Sequence, residues 1–138
     1  MNKLFFKLHV IFLSLLVVTA GSALAGTRAI AISEPANGAT LQNPVKVCLV
    51  AHNVTVEPAK KGVNDGKGHH HILVDADLPK DLSQPIGKDA QHIHMGDGST
   101  CKEIRLEPGM HVIRGLFAQG NHVPYNPPIT ATVIVNVQ

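Results

Sequence analysis

Five of the nine histidines in this 138-residue chain fall into two tight groups. His69, His70 and His71 run directly into the apolar stretch Ile72-Leu73-Val74, and His92 and His94 flank Ile93. Histidine is the commonest metal-ligating side chain, and its borderline-soft nitrogen suits copper and zinc. In an extended strand, residues two apart point the same way and lie roughly 6.5–7 Å apart. His69 and His71 therefore share one face, with His70 on the other, and His92 and His94 form a second same-face pair. One such pair from each of two neighbouring strands would offer four nitrogens to one ion. That set suits copper(II) first and zinc(II) second.

The remaining candidates stand around these pairs. Asp75 has the parity of His69 and His71, which places it as an oxygen ligand or as an acceptor fixing an imidazole tautomer behind the ligands. His122 lies in a Pro-bounded loop and is the expected contributor from outside the strands. His111, beside a strand start, is a further candidate to complete or gate the site. His52 ends a strand away from both pairs and reads as structural. Met95 and Met110 adjoin histidines, and thioethers would favour copper(I), but two methionines outside a Met-rich segment read as core. A site of neutral imidazoles is expected to lose its ion as it protonates, near pH 6 and below.

Other chemistries find no support. The chain has neither Gly-x-Ser-x-Gly nor a phosphate-loop pattern. Asp75, Asp77 and Asp81 are carboxylates in a loop setting that gives no case for paired acid–base hydrolysis. No catalytic residue is assigned.

The chemistry needs a scaffold, and the chain supplies strands. Arg28–Ser33, Val45–Val50, Val54–Val56, His69–Asp75, His92–Met95, Cys101–Leu106, Met110–Ala118 and Ile129–Val137 each show alternating or continuous apolar character. Turns such as Glu34-Pro35-Ala36-Asn37-Gly38 and Glu107-Pro108-Gly109 separate them. Residues 59–68 and 77–88 read as irregular loops, and residues 119–128, with three prolines, read as a loop unable to continue a sheet interior. No stretch has a helical period. Short strands at this spacing predict an all-β fold, a single immunoglobulin-like antiparallel β-sandwich over residues 26–138.

Residues 1–25 read as a cleaved signal peptide. Lys3 and Lys7 precede an apolar run that ends at the small-residue pattern Ala23-Leu24-Ala25. That run is short for a membrane span, and no stable membrane insertion is expected. Cleavage leaves 113 residues, enough for one core, with ten basic against ten acidic side chains. A neutral balance gives no electrostatic case for nucleic acid. The expected location is periplasmic or secreted. In such a compartment Cys48 and Cys101, the two cysteines present, most simply form a disulfide. Closing that loop would contribute roughly 3–4 kcal/mol by the chain-entropy model.

Two families resemble parts of this pattern. His92-Ile93-His94-Met95-Gly96-Asp97 and Gly120-Asn121-His122 resemble stretches of the copper-zinc superoxide dismutases, but too little chain follows His122 for the rest of that barrel. A resemblance covering nearly all of residues 26–138 is to the bacterial domain of unknown function 4399 family, exported domains of about this length. It rests on Pro35-Ala36-Asn37-Gly38-Ala39, Val54-Thr55-Val56-Glu57-Pro58-Ala59, Gly68-His69-His70-His71-Ile72-Leu73-Val74-Asp75, Gln84-Pro85-Ile86, His92-Ile93-His94-Met95-Gly96, Leu106-Glu107-Pro108-Gly109-Met110-His111 and Asn121-His122-Val123-Pro124. The resemblance implies that the histidine stretches, His111 and His122 included, belong to the domain pattern. Cys48 and Cys101 lie outside that pattern, which again reads as a disulfide.

The functional expectation is a periplasmic, histidine-rich protein that captures or carries copper, with zinc second, and whose candidate partners are the metal ion and another periplasmic protein. The alternatives are a metal-free interaction module of the cell envelope, using residues 59–68 or 119–128, and a superoxide dismutase-like copper redox enzyme.

Overall fold

The computed structural model describes residues 26–138, and the signal peptide expected over residues 1–25 lies outside them. Nine strands form: β1 Ala29–Glu34, β2 Thr40–Leu41, β3 Val45–His52, β4 Thr55–Val56, β5 Lys67–Val74, β6 His92–His94, β7 Cys101–Ile104, β8 Gly109–Ala118 and β9 Pro124–Val137. A single 3-10 turn, Ala59–Lys61, interrupts the segment read as an irregular loop. The strands build two sheets, β1-β3-β7 and β2-β9-β8-β5-β4, with β6 also pairing with β5. This is the expected all-β, immunoglobulin-like sandwich. Its pairings are antiparallel except for two short parallel contacts, β2 with β9 and β4 with β5.

Alternation decides which side chains meet between the sheets. Val45, Val47 and Leu49 of β3 and Ile30 of β1 face Ile72, Ile113, Phe117, Val133, Val135 and Val137 of the large sheet. Each large aliphatic side chain so buried contributes about 1.5–3 kcal/mol. With no tryptophan in the chain, this aliphatic layer is the main core.

β5 departs from alternation, because Gly68 to Val74 is buried on both faces. The inner face, with His70 and Ile72, joins the main core. The outer face, with Leu73, packs against Leu116, Ala118 and Ile86, with Ala76 and Leu78 alongside. Residues 75–91 thus fold back over the outside of the large sheet and turn its outer face into a second, smaller apolar layer. A continuous apolar run is what a strand covered on both sides requires.

The loop expected over residues 119–128 is shorter than that, because β9 begins at Pro124. Its prolines do not break the ladder. The register against β8 jumps from Phe117↔Ile129 to Ala118↔Pro124, so Tyr125 to Pro128 bulge out of the pairing where no ladder bond is required.

Cys48 and Cys101 form the expected disulfide. They are direct cross-strand partners that join β7 to β3, on the small sheet. The double variant Cys48→Ala/Cys101→Ala is expected to melt roughly 10–20 °C lower by calorimetry. The histidine chemistry lies on the other sheet and should survive the change.

Candidate metal centre

The large sheet's outer face collects four histidines. His69 and His71 project from β5, His94 from β6, and His122 from the turn between β8 and β9. One ring nitrogen from each lies within 4.8 Å of all the others. His69 Nε2 is the hub, 3.0 Å from His71 Nε2, 3.1 Å from His122 Nδ1 and 3.2 Å from His94 Nε2.

Register explains which histidines meet. In the antiparallel β5–β6 pair, His71 lies opposite His94, Ile72 opposite Ile93 and Leu73 opposite His92. His92 is therefore on the same face as the cluster but one pleat further from His69. There its Nδ1 lies 2.8 Å from Asp89 Oδ1. Three of the four His-x-His members thus meet, and His122 brings the fourth nitrogen. His122 takes a left-handed backbone conformation, φ 67°, at the end of a turn closed by its N–H donating to Gln119 O. The Ile86 N–H donates to His122 O and ties that turn to the segment covering the site.

His111 and Asp75 lie outside this group and engage each other. His111 Nδ1 lies 2.7 Å from Asp75 Oδ2, and its Nε2 lies 2.7 Å from Glu107 O. Both ring nitrogens thus face acceptors, which favours the protonated imidazolium and leaves no lone pair for an ion. The bond to Asp75, then that to Glu107 O, raises the His111 pKa above its ordinary value. The other Asp75 oxygen accepts from the Val112 N–H, so this carboxylate backs no cluster imidazole. Met95 packs into the main core and Met110 is exposed. His52 is exposed at the end of β3.

Hydrogen bonding does not account for the geometry of the cluster. An imidazole nitrogen offers one proton or one lone pair, not three partnerships. Yet three other imidazoles place a nitrogen at contact distance from the same atom, while Nδ1 of His69 and of His71 are buried without partners. Four nitrogens around an ion at roughly 2.0–2.1 Å in a tetrahedron lie about 3.3 Å apart, close to the spacing at this hub.

Burial also favours the neutral form of His69, His71 and His94. Desolvation first, then repulsion from neighbouring imidazoles, lowers the pKa of His69 to about 4 and that of His71 to about 3. His94 is lowered for the same leading reason. At neutral pH their lone pairs are free to bind metal. His70, on the opposite face, meets the Phe117 ring edge-on and is lowered to about 4 by desolvation alone.

Glycine makes room for one of these rings. A Cβ on Gly96 would fall 2.0 Å from the His94 ring, so only glycine lets that imidazole lie against the backbone. A glycine two residues after His-x-His was the available signal.

Comparison with known proteins gives the family. The model of the domain of unknown function 4399 family matches residues 47–138. No curated protein matches. Among solved structures, the solution structure of the PKD domain (329–428) from human KIAA0319 is similar at 11% identity. The match covers 88% of this chain and 89% of that one, with a TM-score of 0.39.

Proposed function

In a chain that belongs to the domain of unknown function 4399 family, whose name assigns no activity, we propose that His69, His71, His94 and His122 hold one metal ion. The observation that supports this most directly is the meeting of three imidazole nitrogens on His69 Nε2, an arrangement that protons cannot satisfy. The donor set is all nitrogen and carries no charge, which favours copper(II), then zinc(II), over magnesium or calcium. Bound there, the ion would supply positive charge and a fixed coordination geometry. The chain's part is to hold the four imidazoles in place, with His69 and His71 buried.

The role that follows is capture or carriage of the ion in the periplasm. The signal-like residues 1–25 and the disulfide support the compartment. Among the described residues, no helix is long and apolar enough to cross a membrane. Calorimetric titration of the tag-free protein with copper(II) and with zinc(II) tests the reading. One equivalent is expected to bind, copper more tightly. Heats indistinguishable from buffer for both ions would exclude it, as would a melting temperature indifferent to metal and chelator.

A further inference from the structure

A cavity of about 120 Å³ opens beside the cluster. Rings of His71, His94 and His122 form one wall, and Ile86, Gly87 and Lys88 form the other. His69 does not line it and is fully buried beneath the other three. An ion held by the four nitrogens would therefore have protein behind it and the cavity in front. A space of that size suits a ligand of only a few heavy atoms.

Charge narrows the class of ligand. Four neutral imidazoles leave a divalent ion uncompensated, and no carboxylate lines the cavity. The nearby acids are engaged elsewhere: Asp75 with His111, Asp89 with His92, and Asp97 with the Ser99 N–H. Lys88 adds a positive charge at the rim and has no ion-pair partner among the described residues. A dication and an ammonium across one small apolar-edged space attract an anion strongly, because a bound ion sets the local field.

We propose that the metal-loaded site keeps a coordination position open to this cavity and takes a small inorganic monoanion there, with Lys88 as its second electrostatic partner. The inference rests on the metal reading and extends it from an ion carrier to a site that binds metal and anion together. Lys88 positions the anion and does not ligate the ion. The larger hollow between Arg28 and the Tyr125–Ile129 stretch offers no comparable chemistry, since Arg28 is already paired with Asp65.

Sodium azide is the probe, added to protein loaded with one equivalent of copper(II). An azide-to-copper charge-transfer band is expected, saturating with a single affinity. That affinity should fall about tenfold in Lys88→Ala and further in Lys88→Glu, as Coulomb attraction across several ångströms implies. Added salt should weaken azide binding to the parent more than to Lys88→Ala. Copper retained with no azide band would overturn the anion site while leaving the metal reading intact. Failure to retain copper would remove the metal reading itself. An azide affinity unchanged in Lys88→Glu would overturn the role of Lys88.

Discussion

His71→Ala is expected to weaken copper(II) binding by about a hundredfold, and His122→Ala by a similar factor. The scale follows from structural zinc sites, where roughly 10–16 kcal/mol is shared among four ligands, or about 3 kcal/mol each. His92→Ala is expected to leave the affinity within about twofold, because register carries its ring one pleat away to Asp89. His111→Ala should behave likewise, its two nitrogens being committed to Asp75 and Glu107. Gly96→Ala provides a ligand test that removes no histidine. The added Cβ displaces the His94 ring, so copper binding should fall much as in His94→Ala. Competition with a chelator of known affinity measures all six, with circular dichroism checking that each variant is folded. If His92→Ala cost as much as His71→Ala, the four-histidine set would be wrong.

The contrast between His92 and His122 shows how far sequence alone reaches. Period-two spacing correctly puts His69 and His71 on one face and His70 on the other, since side-chain direction in a strand is local. It also puts His92 and His94 on one face. It cannot say which residue of β6 lies opposite which residue of β5, because the intervening segment, residues 75–91, has no regular structure to fix the offset. The observed register, His71 opposite His94, puts His92 opposite Leu73 and so pushes it past the site. The vacant fourth position is filled from a turn far along the chain. Only tertiary packing places His122 there, through the Ile86 N–H to His122 O bond and the positive φ at His122. The same segment hid a further feature. Read as a plain loop, residues 77–88 give no hint that Leu78 and Ile86 roof the outer face and make the histidines buried. The disulfide and the strand ladder were legible because each rests on a local or compartment-level rule. The site was half legible because it rests on register.

Acid is expected to empty the site by unfolding the domain, at a lower pH than simple imidazole titration near 6 would suggest. In the metal-free protein, burial lowers His69 and His70 to about 4 and His71 to about 3, whereas each has its ordinary value when unfolded. The unfolded chain therefore binds more protons throughout the interval between those values. Stability from these groups is complete above the unfolded pKa of about 6.5 and is lost as pH falls toward the folded values. Each group contributes a slope of about 1.4 kcal/mol per pH unit, so three acting together give about 4 kcal/mol per unit. A domain of ordinary stability, roughly 5–10 kcal/mol, then unfolds at about pH 4–5. His111 does not offset this. Its pKa is raised, so its contribution is already complete below the unfolded value and is lost only as pH rises through the folded one. Metal binds the folded state alone, and at a thousandfold excess over its dissociation constant it adds about 4 kcal/mol. The acid midpoint of the copper-loaded protein should therefore lie about one pH unit below that of the metal-free protein. Circular dichroism gives the unfolding curve and the copper absorption band gives occupancy, and the two are expected to fall together. Loss of the copper band near pH 6 from a protein still folded would show that protons compete for the imidazoles directly, and that burial does not protect them.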